Sequence, residues 1–277
     1  FDENAAQRLA AAGRVRREIM LLDGAAHRRV TGRVGGGLCG QSRETEKQRQ
    51  YHEPSRILDC VSIQLPTELV AALAGRYDLS RTVGQGGMAT VYHAFDTRHQ
   101  RDVALKVLLP GLAAHVGADR FLKEIRIAAR LTHPHILPLY DSGEAAGFLY
   151  YVMPYLPEPS LRQRLASTGT LEPHEALTIV ARVADALTYA HRLGILHRDI
   201  KPENVLFAEG HPIVADFGIA KAISSASGPN LTKTGFPLGT PGYMSPEQAG
   251  GMTDLDARTD VYSLAALTYE MLVGEVL

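Results

Sequence analysis

Hydrophobic and polar positions follow a regular period only after about residue 66 of the chain. Residues 67–74 form a short apolar run that predicts a helix, with Thr67 as its N-cap and Gly75 as its end. Further along, runs rich in Val, Leu and Tyr are typical of strands. These predicted strands lie at residues 77–83, 91–96, 103–108, 136–140, 148–153 and 212–215.

Two longer segments have the period of an amphipathic helix instead. Residues 118–131 place Phe121, Ile125 and Ala128 on one face. Residues 173–193 are expected to end at Gly194, and their predicted core face contains Leu177, Val180, Val183, Ala184, Leu187 and Ala190. A small sheet with one helix, followed by a mostly helical part, predicts a two-lobed α+β fold.

Residues 1–66 differ from the rest of the chain in composition. They hold 11 Lys/Arg and 8 Asp/Glu, whereas the remaining residues hold 18 and 22. Gly-rich and polar stretches follow one helical pattern, so we expect a disordered extension, or sequence translated upstream of the true start. The mixed charge and scarce aromatic residues argue against an RNA-binding arm.

Composition excludes several classes of protein. The chain is 45% hydrophobic and 21% charged, with a net charge of -1, which gives no nucleic-acid footprint. No apolar run is long enough to span a membrane. The two cysteines, Cys39 and Cys60, precede the patterned region and make a disulfide framework improbable. A soluble protein of the reducing cytoplasm is the expectation.

Candidate chemistry is most concentrated in one octet, His197-Arg198-Asp199-Ile200-Lys201-Pro202-Glu203-Asn204. It places a carboxylate, an ammonium group and an amide on one short loop. Phosphoryl transfer needs such groups close together, because the carboxylate takes a proton, the ammonium neutralises phosphate charge and the amide binds Mg²⁺. The octet alone could arise by chance.

A Gly-rich segment between two predicted strands is a candidate phosphate loop: Val83, Gly84, Gln85, Gly86, Gly87, Met88, Ala89, Thr90 and Val91. Glycines let backbone N–H groups approach phosphates closely. An ordinary Gly-rich hairpin is the alternative. A strand and not a helix follows, which excludes a dinucleotide-binding turn, and no Gly-Lys-Ser/Thr of a Walker loop follows.

Two further candidates flank the octet in sequence. Lys106 lies in an apolar strand, where an ammonium needs a counter-ion, and Glu124 on the next helix is the expected partner. A surface ion pair is the alternative. Asp216, followed by Phe217 and Gly218, would bind Mg²⁺ beside Asn204. Asp-x-Gly is also ordinary turn chemistry.

These motifs occur in the order found in one family, and residues 76–277 resemble a bacterial eukaryotic-type (Hanks-type) serine/threonine protein kinase. The resemblance implies a two-lobed kinase fold at residues 67–277, with an N-lobe at about 76–153, a hinge at about 154–157 and a partial C-lobe at about 158–277. It makes Asp199 the catalytic base and Lys201 the phosphate-contacting lysine. Lys106 and Glu124 become the pair that positions the triphosphate.

The resemblance also implies the ligands of the site. ATP and Mg²⁺, or Mn²⁺, would be the cofactors, with Asn204 and Asp216 as metal ligands. Adenine would lie against the backbone of Met153, Pro154 and Leu156. Pro154 has no N–H and can only accept a hydrogen bond, so Leu156 would be the donor. Val91, Ala104 and Leu206 would enclose the ring, although all three could be plain core residues.

Regulation and substrate docking are expected in residues 216–247. We expect autophosphorylation at Thr232 and Thr234, where a phosphate could pair with Arg198; a flexible polar loop is the alternative. Thr240 and Glu247 would belong to the part of the segment that docks substrate. His197, Phe217 and Asp260 would be structural. Protein substrates with Ser or Thr, and a homodimer for autophosphorylation, are the implied partners, without nucleic acid or a membrane segment in this chain.

Three departures from the family pattern stand out. Ala89 occupies the third glycine position of the phosphate loop, and Ser245 replaces the usual alanine before Pro246 and Glu247. The C-lobe is expected to be incomplete, which would expose the helix face of Leu264, Leu267, Met271 and Leu272. The alternatives are a catalytically silent pseudokinase or scaffold that binds nucleotide or partners, and a small-molecule phosphotransferase.

Overall fold

The computed structural model describes residues 65–217 and 240–277. The expectations for the first 64 residues and for Thr232 and Thr234 lie outside the described residues. Within the described ranges, no helix has the length and apolar character needed to cross a membrane.

Five strands of the described residues form an antiparallel sheet in the first lobe. They are β1 (Tyr77–Gln85), β2 (Ala89–Asp96), β3 (Arg101–Leu108), β4 (Asp141–Ala145) and β5 (Phe148–Pro154), in the order β1-β2-β3-β5-β4. The register sets Lys106 of β3 opposite Val91 of β2 and Tyr151 of β5. Directly paired residues project to the same face of a sheet, so these three side chains share one face.

Helices cover both faces of this sheet. Helix α1 (Thr67–Leu73) packs Leu69 and Leu73 against alternate residues of β3 such as Leu105. Helices α2 (Pro110–Val116) and α3 (Ala118–Ala128) cover the opposite face, where Phe121 and Ile125 contact the cluster around Ala104. Successive side chains of β3 point to opposite faces of the sheet. Since helices cover both faces, β3 is buried on both sides.

The second lobe is mainly helical. Its elements are α4 (Leu161–Thr168), α5 (Pro173–Arg192), β6 (Val205–Ala208), β7 (His211–Val214), α6 (Pro246–Ala249) and α7 (Ala257–Val273), with one-turn 3₁₀ helices at Pro202–Asn204 and Pro241–Tyr243. Strands β6 and β7 form an antiparallel hairpin. The core contains residues of α5, α7 and this hairpin, including Val183, Leu267 and Phe207. The two-lobed α+β fold is therefore confirmed.

The strand predicted at residues 136–140 was wrong. The strand beside β5 is β4, which begins at Asp141 and is more polar. Ile136 makes only an isolated parallel bridge with Val214, and Leu137 is buried in the first-lobe core. The apolar run is explained by burial of a connecting segment, and single backbone hydrogen bonds to Val214 of β7 and Val152 of β5 hold it in place.

The periodic patterns predicted the positions of the helices correctly, but not always which side chains face the core. On α5 the buried residues are Ala176, Ile179, Val183, Ala186, Leu187 and Ala190. Leu177, predicted to face the core, is 49% exposed. Alanines 176 and 186 face inward because small side chains let neighbouring elements approach closely.

The expectation that one apolar face of α7 would be exposed was wrong for three of its four residues. Leu264, Leu267 and Met271 are buried, whereas Leu272 is 40% exposed. The buried three belong to the same core as α5, and Leu171 donates its backbone N–H to Met271 O at 2.8 Å. The exposed apolar residues of α7 lie on another face: Val261, Tyr262, Tyr269, Leu272 and Val273.

The start of α1 also differs from its prediction. Pro66, and not Thr67, occupies the N-cap position, and no side chain caps the helix there. The Pro66 φ of -61° lies in the range to which the proline ring restricts it. At the other end Ala74 is the C-cap, and Gly75 follows with a positive φ of 81°.

Candidate active site

The Gly-rich segment forms the turn between β1 and β2. Gly86 donates its N–H to Ala89 O at 2.9 Å, which closes the turn. A Cβ added at Gly84 or Gly87 would meet no protein atom within 4 Å, so packing within the protein does not explain these glycines. Ala89 begins β2 with an ordinary negative φ and is buried, so the alanine at this position adds no backbone strain.

Residues predicted to enclose adenine lie together in one apolar cluster. Ala104 and Met153 are buried members of this cluster. Three partly buried residues pack against it: Val91 of β2, Leu156 from the chain after β5, and Leu206 of β6 in the second lobe. Three separate elements therefore meet around a single apolar site.

Lys106 and Asp216 lie in direct contact at the junction of the lobes. Lys106 Nζ donates a hydrogen bond to Asp216 Oδ2. Tyr151 OH donates to the other oxygen, Asp216 Oδ1, at 2.6 Å. Asp216 has a φ of 69°, in the left-handed region that non-glycine residues rarely adopt. Surrounding contacts must hold this conformation.

The structure pairs Lys106 with Asp216 and not with the expected partner, Glu124. Within residues 65–217 and 240–277 the ion pair of Lys106 is with Asp216, and none with Glu124 is present. A carboxylate as buried as Asp216 needs a cationic partner, and Lys106 is within reach. Glu124 is partly buried on α3 beside Phe121, and its charge acts on Arg198. Its catalytic role stays a prediction.

The octet brings Asp199, Lys201 and Asn204 together as the sequence predicted. Lys201 Nζ lies 2.7 Å from Asp199 Oδ2. Asn204 Nδ2 donates to Asp199 O at 2.7 Å and lies 3.3 Å from Asp199 Oδ2. Lys201 Nζ also donates to Thr240 Oγ1 at 3.1 Å, so the loop contacts the segment predicted to dock substrate.

A buried carboxylate, Asp260 of α7, holds the start of this loop. Asp260 Oδ2 accepts the backbone N–H of His197 at 2.9 Å and bonds to His191 Nε2 at 2.7 Å. Asp260 Oδ1 accepts the Arg198 N–H at 2.7 Å. Arg198 has a φ of 70°, and its carbonyl accepts from Gln248 of α6 at 2.8 Å. The loop conformation is therefore fixed from two helices.

His197 supports the loop from beneath. It is fully buried and packs edge-on against Phe217 with ring centroids 4.6 Å apart. Its Nδ1 accepts the Asp199 N–H at 3.2 Å, and its Nε2 bonds to Ala215 O at 2.8 Å. This pattern assigns the proton to Nε2. His197 thus links Asp199 to the residue before Asp216.

Electrostatics keep both buried carboxylates ionised. Burial alone would raise the pKa of Asp216, but the Lys106 charge and the hydrogen bonds from Lys106 and Tyr151 outweigh burial and lower it. Burial likewise opposes ionisation of Asp260, yet hydrogen bonds from His191 and the two backbone N–H groups hold its pKa below the ordinary value. Burial and the Asp216 charge raise the pKa of Tyr151 well above its usual value, so it remains a donor.

Several contacts of residues 240–247, the described part of the segment predicted to dock substrate (the docking segment), were not predicted from the sequence. Arg162 of α4 donates to Glu203 Oε1, Glu270 Oε1 and Tyr243 OH at 2.8, 2.6 and 2.7 Å. Tyr243 OH in turn donates to Glu270 Oε2. These residues are far apart in sequence, and no local spacing connects them. A sequence signal was Glu270 itself, a charged residue between the apolar positions Leu267 and Met271 of one helix.

Glu247 and Ser245 hold the end of this segment. Glu247 Oε1 accepts from Thr259 Oγ1 at 2.8 Å. Ser245 is fully buried and is the N-cap of α6, where its side chain accepts from the Gln248 N–H in a capping box. A serine at this position is thus explained by helix capping.

The oxygen donors fit a magnesium ion. Because Asn204 Nδ2 is used by Asp199, the amide oxygen of Asn204 remains for a metal ion. The N–H of Ala215, the residue before Asp216, donates to the backbone oxygen of Asn204 at 2.9 Å, which ties the two candidate ligands through the backbone. Mg²⁺ prefers hard oxygens, and commonly takes one or two from protein with phosphates and waters completing the set. Among the described residues there is no group of three or more His, Cys, Asp or Glu that could hold a different metal.

Comparison with known proteins agrees with this geometry. Residues 77–277 match the family model of the protein kinase domain. A probable serine/threonine-protein kinase pknA2 of Bifidobacterium longum is 42% identical over 209 residues, which cover 74% of this chain and 27% of that protein. The serine/threonine-protein kinase PknB of Mycobacterium tuberculosis is 44% identical over 209 residues, 73% of this chain and 33% of PknB.

A solved structure is similar as well. The crystal structure of the Mycobacterium tuberculosis PknI kinase domain matches with a TM-score of 0.60 and 35% identity, and the match covers 73% of this chain and 76% of that one. The chain belongs to the protein kinase family, and its relatives are bacterial Hanks-type serine/threonine kinases. It spans about a third or less of the length of these two curated relatives, from 27% to 33%.

Proposed function

We propose that the protein transfers the γ-phosphate of ATP to Ser or Thr hydroxyls of proteins, with Mg²⁺ as cofactor. The observation that carries this proposal is the contact of Asp199 with both Lys201 and Asn204. Lys201 also bonds to Thr240, so the contacts run from the catalytic loop to the segment predicted to dock substrate. Such an arrangement provides a proton acceptor, a positive charge and a metal ligand at one place.

Each residue has a separate task in this mechanism. Asp199 would accept the proton of the attacking hydroxyl, and Asn204 holds that carboxylate in place through its Nδ2. Lys201 lies close enough to Asp199 to place its charge where the phosphoryl group is transferred. When bound, Mg²⁺ supplies positive charge that neutralises the triphosphate. Positioning and electrostatics account for the rate increase.

Nucleotide would bind between the lobes. Val91, Ala104, Met153, Leu156 and Leu206 form the apolar surface for adenine, and the turn from Val83 to Val91 offers backbone N–H groups to the phosphates. Lys106 would hold the α- and β-phosphates. Since ATP is an intracellular nucleotide, we propose that this part of the protein works in the cytoplasm.

Activation by phosphorylation is supported by Arg198. Its Nε is buried and lacks a hydrogen-bond partner in the described part of the chain, and burial lowers the pKa of its guanidinium. The charges of Asp260 and Glu124 oppose this shift but do not outweigh burial, so a further anion would stabilise the guanidinium. A phosphate on Thr232 or Thr234 would supply one and order the segment that contains it.

The acceptor class is decided by one labelling experiment. The protein is incubated with γ-labelled ATP and Mg²⁺ together with a general protein acceptor and, separately, with sugar and aminoglycoside acceptors. We expect label on Ser and Thr of protein alone. Label on a small molecule but on no protein would replace the proposal with a small-molecule phosphotransferase. Nucleotide binding without any transfer would favour a pseudokinase.

A further inference from the structure

Tyr151 is a buried tyrosine that faces the active site from the sheet. The register of β3 and β5 pairs it directly with Lys106, so both side chains project from the same face. Lys106 Nζ lies 5.9 Å from the centroid of the Tyr151 ring. The two residues therefore approach Asp216 together, from neighbouring strands of one sheet.

The hydroxyl of Tyr151 has one partner among the described residues. Tyr151 is fully buried, and its OH donates to Asp216 Oδ1 at 2.6 Å. Its ring packs against Phe121 of α3 with centroids 6.4 Å apart, which fixes the side chain. A buried hydroxyl costs free energy unless it is hydrogen-bonded, so this contact ties the conformation of Asp216 to the sheet.

We propose that Tyr151 is a positioning residue for the metal-binding carboxylate of Asp216. The inference rests on the proposed function, since it requires Asp216 to bind Mg²⁺. Each oxygen of the carboxylate accepts one hydrogen bond, Oδ2 from Lys106 and Oδ1 from Tyr151. Its backbone has the unusual φ of 69°, a strained conformation that surrounding contacts must hold.

The same oxygen can serve both the tyrosine and a metal ion. A carboxylate oxygen has two lone pairs, and the Tyr151 hydroxyl occupies one of them. The other remains for a cation. Hydrogen-bond donors to metal-binding carboxylates orient them, and losing such a donor typically weakens metal binding by about 10- to 100-fold.

Tyr151→Phe tests this role because it removes only the hydroxyl and keeps the ring against Phe121. Tyr150→Phe is the matched control. Tyr150 is the preceding residue of β5, is also buried, and packs with Tyr77 on the opposite face of the sheet. Both variants lose one hydroxyl from the same strand, but only the Tyr151 hydroxyl contacts Asp216.

The measurement is binding of a fluorescent ADP analogue at increasing Mg²⁺ concentration, without turnover. We expect Tyr151→Phe to need about 10- to 100-fold more Mg²⁺ for half-maximal binding, and Tyr150→Phe to match the wild type. Binding of adenosine, which has no phosphate and needs no metal, should be equal in all three proteins.

Other outcomes overturn the inference in distinguishable ways. An unchanged Mg²⁺ requirement in Tyr151→Phe would show that the hydroxyl does not position Asp216. A lower requirement would show that it competes with the metal. Equal loss of adenosine binding would show general damage to the pocket. If the wild type itself bound the analogue independently of Mg²⁺, the proposed function would fail together with the inference.

Discussion

Asp260 shows how one side chain can determine the geometry of a site that it does not enter. Its two oxygens accept the backbone N–H groups of His197 and Arg198 and bond to His191. The side chain has no exposed surface. The sequence identified Asp260 as structural only through the family resemblance, because no local pattern indicates which loop a helix residue will hold.

Replacement Asp260→Asn should therefore destabilise the protein by about 3 kcal/mol at pH 7. An asparagine amide would place its NH₂ group where a carboxylate oxygen now accepts a backbone N–H. Two donors would then face each other, and hydrogen-bonding groups would be left unpaired in the core. Urea unfolding measures the difference. Asp185→Asn on the exposed side of α5 is the control, with an expected change of about 0.5 kcal/mol or less.

The same contacts predict a pH dependence. The pKa of Asp260 is lower in the folded protein than its ordinary value of 3.8. Its contribution to stability is thus fully present above about pH 4 and is lost as the pH falls through the folded-state pKa. The stability gap between the wild type and Asp260→Asn should shrink in acid. A gap that stayed constant from pH 7 to pH 2.5 would contradict this assignment.

Arg162 links three elements of the second lobe. From α4 it reaches Glu203 beside the catalytic loop, Tyr243 in the docking segment and Glu270 on α7. The carboxylate neighbours and Tyr243 raise the pKa of Arg162 against the effect of burial. The docking segment therefore has a fixed position relative to Asp199, which lies four residues before Glu203 in the same loop.

We expect Arg162→Met to destabilise the protein by about 2 kcal/mol, less than for a fully buried pair because Arg162 is 34% exposed. It leaves the buried Glu270 without its cation. Protein-substrate KM should rise as well, since Tyr243 loses a contact. Arg182→Met, in an exposed pair with Asp185, should cost about 0 to 1 kcal/mol. Equal effects of the two replacements would contradict a special role for Arg162.

Sequence patterns predicted elements better than faces and contacts. The period of residues 173–193 located α5 within a residue, but Leu177 is exposed, because packing selects the inward face. Residues 136–140 looked like a strand since burial alone produces an apolar run. The contacts of Asp216 with Lys106 and Tyr151 depend on strand register and on the approach of two lobes, which no local window contains.

At the scale of the whole molecule, the residues proposed to carry the activity come from both lobes. Lys106 comes from the sheet, and Asp199, Asn204 and Asp216 come from the second lobe. The contact of Lys106 with Asp216 joins them. Any change that separates the lobes should thus reduce transfer without unfolding either part.

Autophosphorylation should occur between two copies of the protein. Thr240, six residues after Thr234 in the chain, already contacts Lys201 beside Asp199, so we propose that the acceptor threonine comes from a second copy. We expect phosphate on Thr232 and Thr234, with an initial rate that rises with the square of protein concentration. Mass spectrometry of a dilution series measures both. A rate proportional to concentration, or no phosphate on either threonine, would contradict this.

Phosphoryl transfer by wild type and Asp199→Asn is the most direct measurement of the central claim. Both proteins are mixed with labelled ATP, Mg²⁺ and a protein acceptor, after their ADP affinities are shown to be equal; Asp185→Asn serves as surface control. We predict label on Ser or Thr with the wild type and the control, and a rate about 10²- to 10⁴-fold lower with Asp199→Asn. Equal transfer by all three proteins would contradict the assignment of Asp199 as the base.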